Sequence, residues 1–444
     1  MQHAVSESRH PSRSARRTIT TLMLTATLVA ATPVAGAQPP AAANPAVITT
    51  WNAMAVTTIA GPPPTGVGKA NAEAFLYYAF VHAAVYNAVV GITGEYELYD
   101  WNARAPKGAS PEAAAAAAAH RVLMTYFGGT PTVAANLDAA LATSLGQIPD
   151  GVPKDHGIRY GERAADHIVA LRASDGRNAP ITYTVPIPTP AGVWRPTPPG
   201  NAPFFNPWMG QVDPLVIDSP GQFDPGPPPA IGTALYRAEF EEVRDWGVKT
   251  GSLRSDLPGG ETETALFFSD IAIGPLQAGL RDLVTRRVLD ISDSARLFAA
   301  VDMSIADAVI GAWHGKLAYA WWRPITAIRE ADTDEDLATT GVPGWEPLIT
   351  TPPYPDWPSG LCNVTGAITT ALSRLNAGGN VDLNVTSATA MVTRHYDSAA
   401  VMQQDCIDAR VWSGIHFRTA DIVAAQMGTQ VANWALDHHF APMK

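Results

Sequence analysis

The stretch Tyr354-Pro355-Asp356-Trp357-Pro358-Ser359-Gly360-Leu361-Cys362 reads as a rigid loop that ends in a helix start. Prolines fix the approach, and Ser359 and Gly360 then present a hydroxyl and bare backbone N–H groups just ahead of an apolar run. The first N–H groups of a helix have no partner within it, so such a start is a ready anion site. Basic clusters flank the stretch in sequence, Lys316 to Arg323 upstream and Arg410 to His416 downstream.

Working outward, the chain of 444 residues is long enough to bury a large core. Its net charge of −11 gives no reason to expect nucleic acid or an anionic membrane surface as partner, so an anion would have to be held by a local cluster of basic side chains. Residues 1–37 have the form of an export signal. Arg13, Arg16 and Arg17 are a basic leader, Leu22–Ala31 a short apolar run, and Ala35-Gly36-Ala37 a cleavage site before Gln38. Arg16-Arg17 permits the twin-arginine route. No later stretch of about twenty apolar residues is evident, so no stable membrane insertion is expected and the mature protein is expected to be soluble, secreted or periplasmic. In an oxidising compartment Cys362 and Cys406 are expected to pair, closing a loop of roughly 45 residues for about 3–4 kcal/mol of chain entropy. Two buried thiols are the alternative.

The patterning predicts an all-α protein of helical bundles. Residues 38–46, rich in Ala and Pro, read as a disordered linker, and 47–444 as a single domain. Helices are expected over 68–90, 111–127, 132–145, 154–174, 234–246, 261–273, 277–288, 292–321, 362–377, 398–412 and 419–440, from apolar stripes at three-four spacing and from caps such as Ser110-Pro111. Between 181 and 230 lie fourteen of the 38 prolines, which excludes regular helix. Trp194, Phe204, Phe205, Trp208 and Phe223 argue for an ordered strap over the helices, part of a substrate entrance.

Three arms within 311–421 carry the chemistry. On a continuous helix Lys316 and Arg323, seven residues apart, would share a face, with Pro324 ending it; an ammonium and a bidentate guanidinium there suit a tetrahedral oxyanion. The second arm is the Ser359-Gly360 helix start. The third is Arg410-Val411-Trp412-Ser413-Gly414-Ile415-His416-Phe417-Arg418, in which Gly414 is expected to break the helix and free His416 from its phase. Each arm alone is commonplace.

Taken in order, Lys-x6-Arg-Pro, Pro-Ser-Gly and Arg-x5-His resemble the vanadium-dependent haloperoxidase and type-2 phosphatidic acid phosphatase superfamily. Trp51-Asn52, Trp194-Arg195-Pro196, Trp322-Arg323-Pro324-Ile325-Thr326-Ala327-Ile328-Arg329 and Gly414-Ile415-His416-Phe417-Arg418 resemble its exported bacterial haloperoxidase-like branch. The resemblance implies an oxyanion cage for vanadate, or phosphate in its place. Lys316, Arg323, Arg410, Ser359 and the Gly360 N–H would hold the oxygens, and His416 would be the axial ligand to vanadium or the nucleophile toward phosphorus. It implies oxidation of halide by peroxide, or else phosphomonoester hydrolysis or plain oxyanion binding. The chain departs from the pattern at two places. The position of the family's acid–base His is Leu361, which forfeits proton transfer worth roughly 10²–10⁴ in rate. The carboxylate that orients the axial His is expected four residues on, at Ala420, whereas the acid is Asp421. Asp421 is therefore the expected orienting residue, and Asp356, His314 and His395 are the candidate substitutes for the missing acid–base His.

Overall fold

Ser110 and Pro111 show how locally the helices are set: the Ser110 hydroxyl accepts from the Ala113 N–H at 3.1 Å, Pro111 takes the first turn, and the helix starts there. The computed structural model describes residues 43–270 and 273–443. The export signal and residues 38–42 lie outside the described residues. The end of the expected linker does not: Asn44 N–H donates to Glu112, and the first helix opens at Ala46.

The helices in order are α1 (Ala46–Ala60), α2 (Asn71–Thr93), α3 (Pro111–Phe127), α4 (Pro131–Gly146), α5 (Val152–Leu171), α6 (Ala234–Gly247), α7 (Glu261–Phe267), α8 (Ile273–Arg286), α9 (Ile291–Tyr319), α10 (Pro324–Arg329), α11 (Gly360–Leu375), α12 (Ala399–Trp412) and α13 (Arg418–His438). The fold is helical, as the patterning predicts. The buried helix α9 is shared by two groups: α2, with α3 and α5 behind it, packs on one part, and α11 and α13 on another. Among the described residues, Ala72–Thr93 within α2 is long and apolar enough to cross a membrane, contrary to the expectation that no such run exists. Its burial among other helices makes it a core helix.

Three departures from the sequence reading have physical causes. Leu383–Ser387 (β1) and Val392–Tyr396 (β2) form an antiparallel hairpin, their short alternation too polar to register as strands. Helix α7 stops at Phe267, well short of the expected end. And α9 ends not at Pro324 but at Tyr319, where Ala320 turns into the left-handed region at φ 42°; Pro324 instead opens α10 as its first residue. Lys316 and Arg323 therefore do not share a helix face. A turn brings them together.

The Pro-rich strap is ordered and tied to that turn. Trp194 N–H donates to Ala320 O at 2.7 Å and Trp322 N–H to Gly192 O at 2.8 Å. Farther along, the carboxylate of Asp307 in α9 accepts from the N–H groups of Leu215, Val216 and Ile217 at 2.6–3.0 Å. Phe205 N–H donates to Pro353 O at 2.9 Å, so the strap also braces the approach to Ser359.

Candidate active site

The loop 354–359 is built around one ammonium. Lys316, fully buried in the last turn of α9, donates to the carbonyls of Pro355, Asp356 and Pro358 at 2.7, 3.1 and 2.6 Å. Three acceptors use all three of its protons. Burial and the neighbouring Arg323 pull its pKa well below that of a free lysine. The three carbonyls work against this, because only the ammonium has three protons to give. Lys316 thus contributes positive charge to the site while its hydrogen bonds hold the loop. A side chain at Gly315 would not be tolerated there: its Cβ would lie 2.7 Å from the Pro358 ring.

Arg323 stands at the N-cap of α10 and is also fully buried. Its Nε donates to Tyr354 O at 2.8 Å and its Nη1 to Ile415 O at 2.7 Å, and Nη1 lies 3.0 Å from Nε2 and 3.4 Å from Nδ1 of His416. Its Nη2 has no partner. Arg410, near the end of α12, gives Nη1 to Phe268 O at 3.3 Å and leaves Nε unpaired. Ser359 occupies the N-cap of α11 yet does not cap it, and its buried hydroxyl has no partner either. Gly360 opens α11, where its N–H lacks a helical acceptor.

Gly414, at φ 77°, ends the α12 segment as expected, and a Cβ there would meet Gly247 O at 2.4 Å. The chain then turns His416 inward. Its Nδ1 lies 2.7 Å from Asp356 Oδ1. Burial, then the charges of Arg323, Lys316 and Arg410, hold its pKa well below the ordinary histidine value, so the ring is neutral. Asp356 is fully buried, and that burial lifts its pKa to about 7 against the pull of Arg323 and Lys316.

The structure corrects the expected role of Asp421. It sits in the first turn of α13, its Oδ1 3.4 Å from Cys362 Sγ and its carboxyl beside Ser359, while the carboxylate next to His416 is that of Asp356. Burial pushes Asp421 well above the usual carboxylate range. The two other candidate proton donors lie on separate elements: His314 Nδ1 faces Gly210 O at 3.3 Å and His395 Nε2 faces Asp397 on the hairpin at 3.1 Å. Cys362 and Cys406 stand as buried thiols in contact, Sγ to Sγ 3.2 Å, rather than as a formed disulfide. They join α11 to α12 one turn before Arg410.

A cavity of about 390 Å³ opens beside these arms. Gly360, Leu361 and Arg410 form its floor toward the arms, and Phe75, Phe268 and Trp313 are among its apolar walls. Phe205 brings the strap into this wall, which the aromatic content of 181–230 had signalled. Asp356 is the residue whose placement the motif spacing missed.

Three cationic side chains thus face two carboxylates in a buried site, with Arg323 Nη2, Arg410 Nε and Ser359 Oγ unpaired. Buried polar atoms are nearly always hydrogen-bonded, and exceptions grouped in one place signal an absent partner. Surplus positive charge makes that partner an anion. Residues 296–444 match the VCPO second helical-bundle domain. The match covers the last third of this chain, and over it the chain resembles vanadium haloperoxidases. Vanadium chloroperoxidase of Curvularia inaequalis is 36% identical over 87 residues, a match spanning 17% of this chain and 14% of that protein's length. In fold the chain resembles a bacterial vanadium-dependent iodoperoxidase, with a TM-score of 0.73 at 21% identity over 92% of this chain and 99% of the other. It also resembles the holo form of a bacterial vanadium-dependent chloroperoxidase, with a TM-score of 0.65 at 17% identity over 83% and 91% of the two chains.

Proposed function

We propose that this chain is an exported enzyme of vanadium-haloperoxidase type, which binds vanadate among its three arms and oxidises halide with peroxide, weakly because Leu361 stands at the acid–base position. The observation that carries the reading is the set of unpaired buried donors on separate arms: Arg323 Nη2, Ser359 Oγ and Arg410 Nε. They fit an oxyanion, and the Gly360 N–H adds a fourth donor. Bound vanadate would supply the electrophilic centre at which peroxide is activated toward halide. The chain's own residues set the conditions. Arg323 and Arg410 would supply charge-assisted donors to the oxyanion, Lys316 adds charge while holding the loop, and neutral His416 would offer it the ring-nitrogen lone pair that faces Arg323 in its absence. The apolar walls exclude water, which strengthens each of these interactions.

Oxyanion binding without turnover is the second reading, and Leu361 is what favours it. The test uses the mature protein with orthovanadate and measures peroxide-dependent bromide oxidation, and separately, without vanadate, aryl phosphate hydrolysis. Bromide oxidation above background supports the enzyme. Vanadate binding with both reactions at background leaves the binding protein, and aryl phosphate turnover alone would make the chain a phosphomonoester hydrolase.

A further inference from the structure

We propose that Asp356 is the positioning residue of His416, taking over the task that the third motif would give to a carboxylate four residues beyond the His. The inference deepens the reading of His416 as the axial residue and rests on it. Three observations carry it. Arg323 Nη1, which can only donate, lies nearer to Nε2, at 3.0 Å, than to Nδ1, at 3.4 Å, which favours Nε2 as the acceptor nitrogen and the ring proton on Nδ1. The acid beside Nδ1 is Asp356, at 2.7 Å. Finally, no other side chain competes for its carboxylate: the Phe417 N–H is a backbone donor to it, and the nearest cation, Arg323 Nη1, is 3.7 Å away.

The backbone of Asp356 is fixed on both sides. Its N–H donates to Trp321 O at 2.9 Å, and its carbonyl accepts from Lys316 at 3.1 Å. The carboxylate is therefore delivered by a loop that the Lys316 ammonium holds in place. A carboxylate at Nδ1 fixes tautomer and ring orientation and raises the basicity of the other nitrogen. Asp421 is engaged elsewhere, with Cys362. The competing explanation is that Asp356 only balances the charge of Arg323 and Lys316. That role would stabilise the loop without selecting a tautomer.

The tautomer is directly readable. The mature protein, with ¹⁵N-labelled histidine and no oxyanion present, is examined by long-range ¹H–¹⁵N correlation, with the His416 pattern assigned by its loss in His416→Gln. The expected result is the Nδ1–H tautomer in the wild type, loss of that pattern in favour of Nε2–H in Asp356→Asn, and its retention in Asp421→Asn. In parallel, Asp356→Asn should weaken vanadate binding about 10–100-fold, the usual effect of removing a partner of a ligating His. A wild-type ring in the Nε2–H form overturns the proposal, as does an unchanged tautomer in Asp356→Asn or a switch caused by Asp421→Asn. If Asp356→Asn fails to fold, the wild-type tautomer and Asp356→Glu, which should retain it, still decide. Because no oxyanion is needed, an Nδ1–H ring in a protein that binds no vanadate would sink the proposed function and leave this assignment standing.

Discussion

Two buried clusters in this molecule each pair a histidine with an aspartate, and only one has the marks of a site. Where α1, α2, α8 and α9 meet, His82 Nδ1 lies 2.5 Å from Asp302 Oδ2. Asp302 Oδ1 accepts from Gln277 at 2.6 Å, Gln277 accepts from Asn52, and Asn52 accepts from Arg281. The Tyr78 hydroxyl, His82 Nδ1 and Asp302 Oδ2 are left without a hydrogen bond, but the charges balance, one arginine to one aspartate, and no cationic donor of the cluster is left over. Around His416 there are three cations to two carboxylates, unpaired donors on separate arms, and a cavity alongside. A histidine–aspartate contact at full burial is therefore not the signature of function here. Surplus charge with unmet guanidinium donors is.

The strongest way to sharpen this contrast is to return the missing proton donor. Leu361→His should raise peroxide-dependent bromide oxidation by about 10²–10⁴, the range of general acid–base help, with vanadate affinity little changed. Steady-state kinetics with matched titrations checks both halves. No gain in rate would mean that the other residues of the site do not hold catalytic geometry.

Breaking the balanced cluster should do the opposite. Asp302→Ala leaves His82 and Gln277 without their buried partner and should destabilise the fold by about 3–5 kcal/mol, read from denaturant unfolding. Affinity for vanadate should stay within about twofold, since coupling between distant sites is small. A large loss of affinity would mean that the two clusters are linked.

A smaller effect tests the same separation from the ligand side. At about a hundredfold excess over its dissociation constant, vanadate should stabilise the protein by about 2.7 kcal/mol, or roughly 3 °C in Tm for a chain of this size. The same increment is expected in Asp302→Ala. Calorimetric scans of both proteins would reveal any difference. Least in its effect on the site is the thiol pair. Mild peroxide should convert Cys362 and Cys406 to an intramolecular disulfide with loss of two hydrogens in the intact mass. Oxygen addition in its place would show that the 3.2 Å contact does not mature into a bond.

Much of this was legible from sequence because it was local. The α3 boundaries follow from Ser110, Pro111 and the alanine run, and Gly414 announces its own turn. The arms were legible as motifs, each a short spacing with a chemical reason. What escaped was set by tertiary geometry. The turn at Ala320 separates Lys316 from Arg323 on the helix and rejoins them in space, which spacing alone renders as a shared face. The partner of His416 is sixty residues earlier in the chain, in a loop positioned by Lys316, and no periodicity links them. Asp421, adjacent to the motif position, drew attention because sequence distance is visible and loop packing is not. The hairpin at 383–396 escaped because its strands expose polar residues on one face.

The claim on which the account turns is that the unpaired donors form an oxyanion site. Titration calorimetry of the mature protein with orthovanadate, repeated on Arg410→Ala, tests it most directly. The account predicts one saturable site per chain, competed by inorganic phosphate and weakened about 100-fold in the variant, the scale of one charge-assisted hydrogen-bonding group. A folded wild-type protein that binds neither oxyanion, or a variant that binds as tightly as the wild type, would contradict it.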